Sequence, residues 1–292
     1  MGNRILDVSK MNISFINPDG SEKVILVDGS FHVDSGEIVL IIGDNGAGKS
    51  SIFRSLVRDD SKQTLFKKLR ATFKKKNKTK YINERLMLFE GVNVDIGLKD
   101  ESGKNLQDWF RSSIGYVEQE DPQDKFFERK IGSLVYDYAS ASAYFAKTSE
   151  DDIWEEIKKT YSSLKCEEYH NGKLLDAVQK DCSGGEKRMA SILQALARTK
   201  SKLFILDEPL NNLDSKHARY LNDYLIDLTN PALNPDPPGV LIITHCQMFQ
   251  KVSRAYQLEN GTIRELKENE YKPKSCFGKC IDAEGHYCKK GE

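Results

Sequence analysis

The sequence has no long apolar run. Its longest, Ile38–Ile42 and Val240–Ile243, fall far short of the roughly 20 residues that cross a bilayer, so no spanning segment is expected. Met1–Lys10 lacks the apolar stretch of a secretory signal. Leu6 stands where a myristoylation pattern beginning at Gly2 requires Ser or Thr. Cysteine is scarce, at six in 292 residues, which excludes a disulfide scaffold and makes a cytoplasmic, reducing setting the expectation. Net charge is missing too: 44 Lys and Arg balance 44 Asp and Glu. No global field therefore draws the chain onto nucleic acid or an anionic membrane. A hydrophobic share of 39% excludes a disordered chain. The length allows two domains, or one larger α/β domain with additions.

What is present follows an α/β rhythm. Ile5–Phe15 and Lys23–Val33 read as strands separated by the turn-rich Asn17-Pro18-Asp19-Gly20. Ile38–Ile42, Leu203–Leu206 and Val240–Thr244 read as short buried strands. Ile52, Phe53, Leu56 and Val57 keep helical spacing, as do Met189, Ile192, Leu193 and Leu196 at i, i+3, i+4 and i+7. Buried strands alternating with helices predict a parallel sheet.

Three motifs carry chemistry. Gly43-Asp44-Asn45-Gly46-Ala47-Gly48-Lys49-Ser50, with Ser51 after it, fits G-x-x-x-x-G-K-[ST] between a predicted strand and a predicted helix. Glycines there let backbone N–H groups point at phosphate oxygens, and the helix N-terminus adds positive potential. Lys49 is expected on the β- and γ-phosphates and Ser50 on Mg²⁺. Leu203–Glu208 is an apolar strand ending in two carboxylates. Asp207 is expected to hold Mg²⁺, and Glu208 to polarise a water facing the γ-phosphate. Cys182-Ser183-Gly184-Gly185-Glu186 opens the helix that carries Met189, and is either a second anion cradle or an ordinary glycine-rich N-cap.

A phosphate loop, a Ser-Gly-Gly-Glu turn, a strand ending Asp-Glu and a Thr-His strand end, in that order from Ile5 to Leu266, resemble the ATP-binding-cassette (ABC) ATPases. The spacings agree: Ser183 to Asp207 is 24 positions and Glu208 to His245 is 37. The resemblance implies an α/β P-loop fold of the ABC type over residues 1–266. It would have a parallel core sheet, an antiparallel β subdomain and an inserted α-helical subdomain at about 127–181. It also implies roles. Gly43–Ser50 would be the Walker A loop, and Asp207 with Glu208 the Walker B pair, with Glu208 the catalytic carboxylate. Ser183–Glu186 would be the signature that meets the γ-phosphate bound by a second subunit. His245 would be the switch histidine, and Gln119 the residue that senses Mg²⁺ and water. Asp214 would sit in a loop crossing the dimer interface, and Phe15 would stack on adenine. ATP and Mg²⁺ are the implied ligands. The implied partner is a head-to-tail copy of the chain or a homologous cassette.

Two segments depart from this pattern. Lys49 to Gln119 spans 70 positions, lengthened by Ser61–Lys80, which holds nine basic residues and no acidic one. Phe66, Leu69 and Phe73 sit there at i, i+3 and i+7. Three readings stay open: a solvated lysine-rich loop, a protein or anionic-membrane contact, and a nucleic-acid or ribosome contact. The tail, residues 267–292, carries Cys276, Cys280, His286 and Cys288. These are either Zn²⁺ ligands or incidental residues of a polar tail. Cys182 stands where the family usually has Leu. The expected function is ATP hydrolysis that energises a transporter through a separate membrane-spanning subunit, with this chain cytoplasmic or peripheral on the membrane's cytoplasmic face. The alternative is a soluble cassette acting on ribosome, nucleic acid or cofactor-assembly machinery, which Ser-Gly-Gly-Glu-Lys at Ser183–Lys187 resembles.

Overall fold

The first two predicted strands pair as a hairpin in a computed structural model, which describes residues 3–17, 19–57, 80–95, 97–119, 128–142, 148–198, 200–267 and 269–273. In chain order the first half runs β1 (Arg4–Ile16), β2 (Glu22–Asp34), β3 (Ile38–Ile42), α1 (Lys49–Val57), β4 (Lys80–Phe89) and β5 (Val92–Asn93). There follow α2 (Leu106–Ser113), β6 (Ile114–Val117), α3 (Ile131–Ser140), α4 (Glu150–Ser163) and α5 (Gly184–Leu196). The remainder is β7 (Leu203–Asp207), α6 (Ser215–Thr229), β8 (Gly239–Thr244), β9 (Arg254–Glu259) and β10 (Thr262–Glu265).

Two sheets result. One is antiparallel, in the order β2-β1-β4-β5; the other runs β10-β9-β3-β8-β7-β6. Every pairing in the second is parallel except that of β9 with β10. Its central strands are buried on both faces. Ile38, Leu40 and Ile42 join Phe204, Leu206 and the helices on one side. Val39 and Ile41 join Leu203, Ile205, α1 and the antiparallel sheet on the other. A strand covered twice needs apolar residues at every position, which is why β3, β7 and β8 appear as unbroken apolar runs.

The span 127–181 contributes α3 and α4, then four 3₁₀ turns at Cys166–Glu168, His170–Gly172, Leu174–Asp176 and Gln179–Asp181. Helix α4 starts on Ser149, whose hydroxyl accepts from Asp152 N–H, with Glu150, Asp151 and Asp152 in the positive first turn. Positive φ at Lys165, His170 and Asn171 breaks the chain into short turns there. Arg198 joins this helical layer to the core. Its guanidinium donates to Tyr138 O and Ile114 O at 2.8 and 2.7 Å and lies 3.9 Å above the Tyr138 ring.

The basic stretch falls between α1 and β4. The three readings of it rest on residues 58–79, which lie outside the described residues, as do Cys276, Cys280, His286 and Cys288. Packing continues past residue 266: the Tyr271 hydroxyl donates to Phe249 O at 2.8 Å and Gln247 O at 3.1 Å. Among the described residues no helix is long and apolar enough to cross a membrane.

Candidate functional site

In a parallel sheet, ligands bind beyond the carboxyl ends of the strands. β3 delivers the glycine-rich loop to that edge, β6 delivers Gln119, β7 ends in Asp207 and Glu208, and β8 leads into His245. A cavity of about 280 Å³ opens there. Phe15, Asn45, Gly48, Lys49, Ser50 and Gln119 line it, with Gly46, Ser51 and Glu208. Helix α1 begins at Lys49, and its N-terminal residues Lys49, Ser50 and Ser51 line this space, so the positive end of its dipole meets it. Gly48 sits at φ +106°, and a Cβ there would come within 2.2 Å of Ile25 Cγ2, so nothing larger than glycine fits.

Lys49 is buried. Its ammonium donates to Gly43 O at 2.8 Å and Asp44 O at 3.0 Å, and pairs with Glu208 Oε1 at 3.4 Å. Glu208 is held from three further directions. Its carboxylate accepts from Thr244 O–H at 2.9 Å and from His245 N–H at 3.1 Å, and the His245 Nδ1 lies 2.8 Å away. The Glu208 backbone has φ +48°, a left-handed conformation for a non-glycine residue, of the kind strand ends at functional sites tolerate.

Beside it Asp207 is 1% exposed. Burial, and then the neighbouring Glu208 charge, pushes its carboxyl from 3.8 up to about 7, against the opposing pull of Arg188, Ser50 and Lys49. Its Oδ1 is buried with no hydrogen-bond partner. An orphaned carboxylate oxygen in that setting calls for a cation. Ser50 Oγ donates to Gln119 Oε1 at 2.6 Å, so two more oxygens stand at the same edge. An all-oxygen set suits a hard divalent ion. Asp207, Ser50 and Gln119 fit Mg²⁺, which would supply positive charge for phosphate oxygens.

The Ser183–Glu186 turn lies elsewhere. Ser183 is the N-cap of α5: its hydroxyl accepts from Glu186 N–H, and Glu186 Oε2 accepts from Ser183 N–H at 2.7 Å, closing a capping box. The ordinary-cap reading is therefore present in the geometry, and the helix N-terminus still offers positive potential. A Cβ on Gly185 would come 3.0 Å from Asn212 O, so glycine lets this turn approach the Asn211–Asp214 loop. Asp214 caps α6, accepting from Lys216 and His217 N–H groups at 2.9 Å. Neither Ser183–Glu186 nor Asp214 lines the cavity that holds Lys49.

A family model described as "ABC transporter" matches residues 26–211, more than half of the chain. The chain belongs to the ABC transporter family. Among relatives of this cassette is the lipopolysaccharide export system ATP-binding protein LptB of Escherichia coli K12. It is 27% identical over 255 residues, covering 85% of this chain and 88% of LptB. A putative ABC transporter ATP-binding protein of Methanothermobacter marburgensis is 26% identical, over 82% of this chain and 70% of its own. The dimeric structure of MJ0796, a bacterial ABC transporter cassette, superimposes with a TM-score of 0.65 at 18% identity, covering 90% of this chain and 98% of that one. This chain is thus an ABC ATPase cassette, an ATP-hydrolysing module homologous to transporter ATP-binding subunits.

The side chain that ties this cassette's site together belongs to none of the motifs. Arg188 is buried, and its guanidinium donates to Glu118 O, Asp207 O and Glu208 O at 2.7 Å and to Pro209 O at 3.2 Å. One fork thereby fixes the strand end that carries both carboxylates to the residue before Gln119. Lys23 and Ile25 on β2 also line the cavity and were not anticipated. A larger cavity, about 700 Å³, lies between α4 and α6 and includes Lys159, Lys200, Tyr224 and Leu233. It holds none of the motif residues, so chemistry and not volume locates the site.

Proposed function

We propose that this cassette is the ATPase subunit of an ABC transporter. In this reading it works as a head-to-tail dimer of itself or with a homologous cassette, drives a separate membrane-spanning subunit, and sits peripherally on the cytoplasmic face. The observation that carries the dimer is the separation of the two anion-facing helix N-termini: Ser183–Glu186 does not line its own chain's phosphate cavity. A second copy turned head to tail brings that turn against the nucleotide held at Gly43–Ser51, and Asp214 stands in the loop between the copies. The similarity to LptB, named as part of an export system, supports the membrane load.

The chemistry follows from charge. Phe15 stacks on the adenine. Backbone N–H groups of Gly43–Gly48, with Lys49, Ser50 and Ser51, cradle the phosphates. Ser50, Gln119 and Asp207 would hold Mg²⁺, which would supply positive charge to the phosphate oxygens. Glu208 accepts a proton from the water that attacks the γ-phosphorus, and ADP leaves with the bridging oxygen. His245 holds Glu208 in place. Because the phosphoryl transition state is loose, positioning and charge do most of the work. Glu208→Gln keeps the shape and removes the base. Hydrolysis should fall at least about a hundredfold, and the variant should elute as a dimer in ATP and as a monomer without it. Hydrolysis at the parent rate, or a monomer in ATP, would refute the reading.

A soluble role remains the second reading, with Ser61–Lys80 contacting ribosome or nucleic acid. Nothing among the described residues favours it. Copurification of the ATP-loaded Glu208→Gln protein separates the two, by recovering either a multi-spanning membrane protein or nucleic acid. Whether Cys276, Cys280, His286 and Cys288 take Zn²⁺ is read by metal analysis of the chain with and without residues 274–292.

A further inference from the structure

Cys182, His170 and Glu186 converge just behind the signature turn. Among the described residues they are the one set of three His, Cys, Asp or Glu side chains whose ligand atoms could share a metal ion, all lying within 4.8 Å of one another. Their surroundings suit a clamp. Cys182 sits at the end of the last 3₁₀ turn, buried, with its thiol 3.5 Å from Val178 O, a weak contact that costs little to give up. His170 is placed by the preceding turns, with Nδ1 3.3 Å from Glu186 Oε1. Glu186 uses its other oxygen, Oε2, for the capping box. Oε1, whose contact is with His170 Nδ1, can therefore ligate beside that imidazole while the cap stays intact. The His170 side chain is 37% exposed, which gives an ion a way in.

We propose that His170 Nδ1, Cys182 Sγ and Glu186 Oε1 bind a borderline-soft divalent cation of the Zn²⁺ class. One nitrogen, one thiolate and one carboxylate form a three-ligand tetrahedral set with a water completing it. Ligand bonds of about 2.0–2.3 Å place ligand atoms about 3.3–3.8 Å apart, so the widest gap must close by about 1 Å. Rotation of the half-exposed imidazole supplies that movement. Binding releases the thiol proton to solvent and turns Cys182 into a thiolate. The turn gains two positive charges and one negative, so its local charge becomes more positive by one. Beside Ser183 that makes the helix N-terminus a stronger seat for an anion. This last consequence rests on the dimer reading, whereas the metal site does not.

The test uses the full chain without nucleotide, carrying Cys276→Ser, Cys280→Ser and Cys288→Ser so that tail thiols are out of play. Titration with Co²⁺ should give a thiolate-to-metal charge-transfer band and the visible bands of a tetrahedral ion, at one equivalent per chain, displaced by Zn²⁺. His170→Gln should weaken binding at least about tenfold, and Cys182→Leu should abolish the charge-transfer band while the protein stays folded by circular dichroism. Zn²⁺ should also raise the melting temperature of the tail variant and leave that of Cys182→Leu unmoved. Absence of the band from the tail variant, or its survival in Cys182→Leu, overturns the proposal.

Discussion

Asp207→Asn should stabilise the nucleotide-free protein at alkaline pH and not at acid pH. Burial and the Glu208 charge hold the Asp207 carboxyl at about 7, against 3.8 for the ordinary side chain. Between those values the folded protein keeps a proton that the unfolded chain has released. The unfolded state then binds fewer protons, so stability falls as pH rises through the window. The full displacement corresponds to about 4 kcal/mol. Asparagine has the shape of the protonated acid and never ionises, so it escapes that penalty. Its amide must still be buried where Oδ1 has no partner, at a pH-independent cost of about 1–2 kcal/mol. The variant should be slightly less stable than the parent at about pH 4.5 and about 2 kcal/mol more stable at about pH 8. At about 2–4 °C per kcal/mol for a chain of this size, the difference in melting temperature should swing by roughly 10 °C. Thermal unfolding by circular dichroism in EDTA, at steps across that range, measures it. Mg²⁺ with nucleotide should close the gap from the other side, stabilising the parent because the cation compensates the carboxylate, and leaving the variant unmoved. A melting-temperature difference that does not change with pH would show that Asp207 carries no such burden, and the cation-site reasoning would fail with it.

The other residues give sharper single outcomes. Arg188→Met removes four hydrogen bonds to the carbonyls of Glu118, Asp207, Glu208 and Pro209. It should cost about 3 kcal/mol and lower kcat more than it raises KM for ATP, since it positions Glu208 without touching substrate; an unchanged melting temperature would refute this. Gly48→Ala puts a methyl 2.2 Å from Ile25 Cγ2 at a φ of +106° and should cost about 2–4 kcal/mol by thermal unfolding. Adding Ile25→Ala should recover only the steric part, and full recovery would show that backbone strain is absent. Phe15→Ala should raise KM for ATP about tenfold through lost stacking, with Phe15→Tyr near the parent value, and an unchanged KM would remove Phe15 from the adenine site.

The sequence and the structure agree where chemistry forces a residue type at a fixed spacing. A buried parallel strand must be apolar throughout, so β3, β7 and β8 announced themselves. A loop that would cradle phosphate needs glycine and lysine in order, and Gly43–Ser50 lies, as its pattern predicts, between β3 and α1. Helix α2 escaped because its signal is short: Asn105 caps it by accepting from Gln107 and Asp108 N–H groups, and only Leu106, Trp109 and Phe110 mark a face across barely two turns. Arg188 escaped for a different reason. Its acceptors are main-chain carbonyls 19 to 70 positions away, and a carbonyl is carried by every residue type, so nothing in the pattern marks the partner. The same holds for Arg198, which grips Tyr138 O and Ile114 O. Side chains that bind side chains leave paired letters in a sequence, whereas side chains that bind backbone leave one. The arginine that assembles this site was visible as a letter from the start, and only the fold could say that the carbonyls of Asp207 and Glu208 both hang from it.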